Sequence, residues 1–265
     1  MTFPIGIFDS GVGGLSVLQE IALVLPNENL IYVGDTENIP YGNKSVNEIR
    51  LFADRIVQFL LSHHVKIIVV ACNTASAAAL TWLREKYSEM LFIGIEPAIK
   101  PGVKSSENKC IGVLATEYTL NSERYFSLVK RYSSETTLYQ DPCLGLVSKI
   151  ENGKHRDTET QKLLEKVIYP MLEKGVDIFI LGCTHYPFVK DIIEKLINNN
   201  GIIINPAPAI AEQTQRILKI NKINNKEINK NRRVDFFATG NIDTFSRTAT
   251  NLLNQEIIAT KLNLH

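Results

Sequence analysis

Short runs of residues that are apolar on both sides recur along this chain, and no other feature of the sequence restricts the fold as tightly. PIGIF, LIYVG, KIIVVAC and LFIGIE come first, and CIGVLA, TTLYQ, VDIFILGC and GIIIN follow. Longer segments with helical periodicity lie between them, such as VNEIRLFADRIVQFLLSHH after Ser45, NSERYFSLVKRY, and TETQKLLEKVIYPMLEKG, which closes on a glycine. A strand that is apolar on both faces must be covered on both, which calls for helices on either side of a mainly parallel sheet. The expected class is therefore α/β, built from repeated βα units.

The pattern occurs twice. IGIFDS at 5–10 aligns with IGVLAT at 111–116, an offset of 106; Cys72 and Cys183 differ by 111; IEPA at 95–98 matches INPA at 204–207, an offset of 109. Landmarks in one order at nearly constant spacing predict a duplicated α/β half.

Composition sets the outer bounds. The chain has 265 residues, 45% hydrophobic, with a formal net charge of +1, enough for one large domain or two small ones. No apolar run reaches the roughly 18 residues that span a bilayer, and MTFPIGIFDS lacks the basic start and apolar core of a secretory signal. The expectation is a cytoplasmic protein with no membrane partner. Near-neutral charge argues against nucleic acid, which usually demands a clear excess of Lys and Arg. The four cysteines, at 72, 110, 143 and 183, form no CxxC pair. That speaks against a structural zinc site and predicts free thiols.

The Lys- and Asn-rich stretch KINKINNKEINKNRR, residues 219–233, reads as a solvated connection rather than a basic arm for an acidic partner. VDFFATGN then predicts one more strand, and IDTFSRTATNLLN a final helix capped by Asp243 or a neighbour.

In an open α/β sheet, ligands bind beyond the carboxyl ends of the strands. Asp9 and Ser10 follow IGIF, Asp35 and Pro40-Tyr41-Gly42 follow LIYV, Cys72-Asn73-Thr74 follow KIIVVA, Thr116 follows IGVLA, and Cys183-Thr184-His185 follow IFILG. A thiol at a helix N-terminus has its thiolate stabilised by unpaired N–H groups and the helix dipole. Cys72 and Cys183, each flanked by polar residues at a strand end, are thus candidate bases or nucleophiles. Cys110 and Cys143 lack such surroundings and read as small buried apolar residues. Asn73, Thr74 and Thr184 are expected to cap helices and, with the same groups, to hold a carboxylate. DSGVGGLSVL is glycine-rich but is not GxGxxG, so a turn bringing backbone close to a small anion is the more economical account. His185 is a candidate acid or base, or an orienting partner for Cys183. His63 and His64 should be solvated. Glu151, taken alone, is a surface charge at a helix end.

Together, FDSGVGGLSVL, YVGDTENIPYG, ACNTASA, IEPAIKPG, GVLATEYTLNS, IENGK, LGCTHYPF and FFATGN resemble the glutamate racemases of the cofactor-independent aspartate/glutamate racemase superfamily, in that family's order over nearly the whole chain. The resemblance implies two Rossmann-like α/β domains with mainly parallel sheets related by pseudo-twofold symmetry, the first of residues 1–96 plus 208–265 and the second of 97–207, with the active site in the cleft between them. It also implies interconversion of L- and D-glutamate, supplying D-glutamate for peptidoglycan. Cys72 and Cys183 match the two catalytic thiols, the first acting on D-glutamate and the second on L-glutamate. Asp9, Glu151 and His185 match residues that assist them. Ser10, Pro40, Tyr41, Gly42, Asn73, Thr74, Thr116, Thr119 and Thr184, with Asp9 and His185, match the substrate contacts. No pyridoxal phosphate and no metal is implied, and a homodimer is. INPAPAIAEQ at 204–213 departs from the Asp-Ser type sequence of many relatives, without touching either thiol.

Three rivals give those residues other work. Aspartate racemases of the same superfamily use the same pair of cysteines on a substrate one methylene shorter. A cysteine hydrolase or transferase would use Cys183 with His185 and leave Cys72 idle. A two-lobed amino-acid binding protein would need neither thiol for turnover.

Overall fold

The apolar runs form strands and the periodic segments form helices, in the order the alternation requires. A computed structural model describes residues 3–227, 229 and 231–264. The strands are β1 (Ile5–Asp9), β2 (Leu30–Gly34), β3 (Ile67–Val70), β4 (Phe92–Gly94), β5 (Cys110–Leu114), β6 (Thr137–Asp141), β7 (Ile178–Leu181), β8 (Ile202–Ile204), β9 (Val234–Ala238) and β10 (Ala259–Lys261). The helices are α1 (Leu15–Val24), α2 (Val46–Ser62), α3 (Asn73–Lys86), α4 (Ile99–Ser105), α5 (Glu117–Leu120), α6 (Glu123–Tyr132), α7 (Leu146–Glu151), α8 (Thr158–Glu173), α9 (Lys190–Ile197), α10 (Ala207–Ile220) and α11 (Ile242–Leu253).

The chain divides into two compact units, Met1–Ile95 together with Ala207–His265, and Glu96–Pro206. The first unit holds a sheet in the order β10-β9-β2-β1-β3-β4, the second a sheet in the order β6-β5-β7-β8. Every strand pairing in both is parallel. The run β2-β1-β3-β4 has the same order as β6-β5-β7-β8, so each unit repeats one winding. The two-sided apolar runs explain the burial: β1, β2, β3, β5 and β7 are buried at every residue. The edge strands β6 and β8 are partly exposed, as strands covered by fewer neighbours must be.

Local chemistry sets the helix ends. Ser45 and Glu48 close a reciprocal capping box at the start of α2, whose buried face is Ile49, Ala53, Ile56, Val57 and Leu60. Gly175, at φ +79, ends the segment after α8 in a left-handed conformation that glycine adopts at little cost. The cap of α11 is Asn241, whose side chain accepts from Thr244 N–H at 2.8 Å, two residues before the expected Asp243. Strand β10 has no counterpart among the predicted strands; at three residues beside β9 it is too short to show a period.

The Lys- and Asn-rich stretch is more ordered than a solvated connection. Asn225 N–H and Lys66 Nζ both donate to Glu28, at 2.8 and 2.6 Å, and Lys66 Nζ also reaches Ile223 O. Asn229 Nδ2 donates to Asn29 Oδ1 at 3.1 Å and Arg232 Nε to Glu28 O. The stretch is thus fastened to the chain just before β2, at the opposite end of the strand from the candidate residues. Ile228 and Lys230 lie outside the described residues.

Candidate active site

In the first unit, β1 and β3 are neighbours with Phe8 opposite Val70. Ala71 N–H donates to Phe8 O at 2.8 Å, which continues the ladder and sets Asp9-Ser10 alongside Ala71-Cys72. Cys72 is the N-cap residue of α3: its Sγ accepts from Ala75 N–H at 3.4 Å and lies 3.7 Å from Ser10 Oγ, with the residue only 5% exposed. The capping role expected of Asn73 and Thr74 therefore falls to the thiol, and both follow it, buried, in the first turn of the helix. The Asn73 amide is fully buried, and neither Nδ2 nor Oδ1 has a hydrogen-bond partner among the described residues. Burying an amide in that state is costly, and it suits a side chain shaped for a polar ligand.

The glycine-rich turn after β1 wraps Asp9. Its Oδ1 accepts from Gly11 N–H at 2.8 Å, while Tyr32 Oη donates to Gly11 O at 2.8 Å. A Cβ on Gly14 would stand 2.6 Å from Asp9 Cβ and 2.8 Å from Tyr32 Oη, so only glycine allows this approach. Farther along, Ile39–Pro40 is a cis peptide and Tyr41–Asn43 a 3-10 turn. Tyr41 is buried, and its Oη donates to Asp35 Oδ2 at 2.6 Å. Burial first, and then the Asp35 carboxylate, hold the Tyr41 phenol well above the usual tyrosine pKa.

The second unit repeats the register. Leu114 is opposite Leu181, and Gly182 N–H donates to Leu114 O at 2.7 Å. A Cβ on Gly182 would stand 2.7 Å from Ala115 Cβ, so glycine lets the two strand ends close up. Thr116 caps α5, its Oγ1 accepting from Thr119 N–H at 3.3 Å and lying 3.0 Å from Thr119 Oγ1. Thr184 is buried.

Cys183, also 5% exposed, is followed by a 3-10 turn at Tyr186–Val189 rather than directly by a helix. Its support is a side-chain relay: Sγ lies 3.7 Å from His185 Nδ1, and His185 Nε2 lies 2.5 Å from Glu151 Oε1. Burial alone would depress the His185 pKa; the hydrogen bonds and charges of Cys183 and Glu151 outweigh it and hold it well above the usual histidine value. Glu151, the last residue of α7, is consequently not the surface charge that its sequence neighbourhood suggests, its side chain being 13% exposed.

Two neighbours of this relay escape a reading of the sequence. Tyr186 is fully buried and donates from Oη to Pro142 O at 3.1 Å; burial first, then the charges of Cys143 and Cys183, raise its pKa. Cys143 is buried as expected, but it sits at φ +46 and within the field of Cys183. Burial, followed by Asp141 and Cys183, pushes its thiol well above the usual range. Its position just past the end of β6, at the same sheet edge as Cys183, was the available signal. Cys110 is buried too, with Sγ 3.4 Å from Lys174 O. None of the four cysteines is in a disulfide, and among the described residues no group of three or more His, Cys, Asp or Glu side chains could hold a metal ion.

The Asp/Glu/hydantoin racemase family model matches residues 5–214. The chain is 47% identical over 215 residues to the glutamate racemase of Pseudomonas paraeruginosa, 81% of each chain. Among solved structures, a glutamate racemase isoform from Bacillus anthracis superposes with a TM-score of 0.88 at 33% identity, over 99% of this chain and 98% of the other. The glutamate racemase of Francisella tularensis, solved in complex with D-glutamate, gives 0.85 at 33% identity over the same shares.

Proposed function

The chain belongs to the Asp/Glu/hydantoin racemase family, an amino-acid isomerase with glutamate racemase activity, and from that premise we propose that it interconverts L- and D-glutamate with Cys72 and Cys183, one taking the Cα proton and the other delivering a proton to the opposite face. One observation carries the reading. Cys72 and Cys183 each stand two residues beyond a strand pair of identical order and register, Phe8 with Val70 in one unit and Leu114 with Leu181 in the other. Each is buried, and each has a polar group against its sulfur.

Inverting a stereocentre by proton transfer needs a base on one face of Cα and an acid on the other. With L-glutamate, the Cys183 thiolate takes the Cα proton, the electron pair of the broken C–H bond passes into the α-carboxylate, and the Cys72 thiol returns a proton from the opposite face. D-glutamate leaves, with the two thiols having exchanged protonation states. With D-glutamate the roles reverse. Asn73, Thr74 and Thr184, with Ser10, hold the α-carboxylate and amino group; the unpartnered Asn73 amide supports this. The backbone of Pro40-Tyr41-Gly42, helped by Thr116 and Thr119, holds the side-chain carboxylate. Asp9 assists Cys72, and the His185–Glu151 pair assists Cys183. Fixed donors and exclusion of water then stabilise the carbanion, in place of a pyridoxal phosphate or a metal ion.

The same reading makes the protein a cytoplasmic homodimer whose D-glutamate enters peptidoglycan synthesis. No helix among the described residues is long and apolar enough to cross a membrane.

The test is incubation with L-glutamate in deuterium oxide, without added cofactor and after dialysis against chelator, following optical rotation and Cα deuteration. Loss of rotation with deuterium at Cα supports the proposal. Cys72→Ser and Cys183→Ser should each lose racemisation by roughly a hundredfold or more, the usual weight of one acid–base group, while still binding glutamate. Full racemisation by Cys72→Ser would sink the two-thiol mechanism.

A further inference from the structure

The segment FFATGN is a strand followed by a turn, and nothing proposed so far uses the turn. Thr239, its first residue after β9, is buried at 1% exposure and is tied by its backbone to β2, Thr239 N–H donating to Gly34 O at 3.1 Å. Its hydroxyl donates to Asp35 Oδ1 at 2.6 Å and accepts from Glu37 N–H at 3.1 Å. Next to it, Gly240 N–H donates to Thr36 Oγ1 at 3.0 Å, and a Cβ on Gly240 would stand 2.6 Å from that oxygen. Lys261 Nζ fastens the turn from behind, donating to Thr239 O and, at 2.9 Å, to Gly240 O. A residue about two hundred positions along the chain thus grips the loop between β2 and Tyr41.

Asp35 is the hub of that grip. It is fully buried, its N–H donates to Asp9 O at 2.9 Å, and its two oxygens accept from Thr239 Oγ1, from Tyr41 Oη at 2.6 Å, and from Asn38 Nδ2 at 3.0 Å. Hydroxyl bonds of 2.6 Å to a carboxylate are at the short, strong end of the range. Tyr41 is also packed on Phe52, ring centroids 5.8 Å apart, so its backbone and that of Gly42 are held from below by a chain Thr239–Asp35–Tyr41.

We propose that Thr239 is a positioning residue for the Pro40-Tyr41-Gly42 turn, acting through Asp35, and that it thereby sets the protein's preference for glutamate over the shorter aspartate. The inference rests on the reading of that turn as the site of the substrate's side-chain carboxylate. A pocket tells two acids of different length apart by keeping a fixed distance between its two carboxylate sites. A turn freed from its anchor can follow the shorter side chain inward and grips the longer one less firmly. The chemical step, carried out by the thiols, is not touched.

Wild-type protein is assayed first, with L-glutamate and L-aspartate; absence of glutamate turnover in folded protein overturns the reading of the site and the inference with it. Given turnover, Thr239→Val keeps the shape and removes the hydroxyl, leaving the buried Asp35 oxygen short of a donor. KM for glutamate should rise about tenfold, the effect of one unmade buried hydrogen bond, with kcat within about threefold. The ratio of kcat/KM for glutamate to that for aspartate should fall, and Thr239→Ser should restore both. Tyr41→Phe, which withdraws the other hydroxyl from Asp35, is read the same way and decides the matter if Thr239→Val does not fold. A glutamate KM and a substrate ratio within twofold of wild type, or a fall in kcat at unchanged KM, overturns the inference and leaves Thr239 a structural residue only.

Discussion

Glu151→Gln tests the relay behind Cys183 directly. The substitution keeps size and a carbonyl oxygen that can accept from His185 Nε2, but removes the negative charge now 2.5 Å from it. Hydrogen bonds to charged groups contribute about 1.5–3 kcal/mol, and because the glutamine oxygen still accepts, the loss should be about 1–2 kcal/mol. At 1.36 kcal/mol per decade that is roughly a 5- to 30-fold fall in kcat/KM. L- and D-glutamate are enantiomers with equal free energy in water, so kcat/KM must fall by the same factor in both directions. A one-sided fall in that ratio would reveal an assay error, not a one-sided base.

The pH dependence is the sharper reading. In the wild type the Cys183 and Glu151 partners hold the His185 pKa well above its ordinary value, against burial. Without the Glu151 charge, the pKa falls, and the alkaline limb of the kcat/KM profile should move to lower pH. Stability follows the same sign. Because the folded pKa lies above the unfolded value of about 6.5, the stabilisation is complete below that value and is lost as pH rises through the raised folded pKa. The unfolding free energies of wild type and Glu151→Gln should therefore differ most on the mildly acid side and converge at alkaline pH. Initial rates by polarimetry across pH, with urea unfolding at matched pH, make the comparison. An alkaline limb that stays put in a folded mutant would refute the idea that Glu151 acts through His185 protonation.

Asn73→Ala should weaken glutamate binding without lowering the thermal unfolding midpoint, because the amide it removes is buried with no partner among the described residues; calorimetric binding and a melting curve read the two effects separately. Glu28→Gln should destabilise by about 3–5 kcal/mol, since it strips the buried Lys66 ammonium of its charge partner at 2.6 Å. Specific activity per folded molecule should be unchanged, as the pair lies at the other end of the strands; urea unfolding alongside an active-site assay checks this.

How much of this was legible depended on the length scale of the signal. Nine strands and the α/β class follow from apolar runs that are local and uninterrupted, and the parallel pairing follows from their two-sided burial. The three-residue β10 carried no period to read. The candidate thiols were legible because a cysteine among polar residues at a strand end is locally unusual. Glu151 entered only through the resemblance of IENGK, and Thr239 was not singled out within FFATGN, for a common reason: each bonds a group 34 or 204 residues away, and its own chemistry reads as a helix-end charge or a turn threonine. Side-chain partners that are remote in sequence leave no local trace.

The duplication also shows where symmetry ends. The two strand frames agree in order and register, yet the two thiols have different support. Cys72 caps a long helix and is served by a backbone N–H and the Ser10 hydroxyl. Cys183 precedes a 3-10 turn that cannot offer the same helix end, and an imidazole backed by a carboxylate stands in its place. The reaction imposes no need for likeness: it requires equal kcat/KM in the two directions, not equal kcat and equal KM. Each thiol can therefore be stabilised by different means, provided that any gain in binding one enantiomer is matched by a proportionate loss in its turnover. Under the two-thiol proposal, unequal KM values for L- and D-glutamate, in a constant ratio to unequal kcat values, are the expected signature of a duplicated frame whose two candidate bases have diverged.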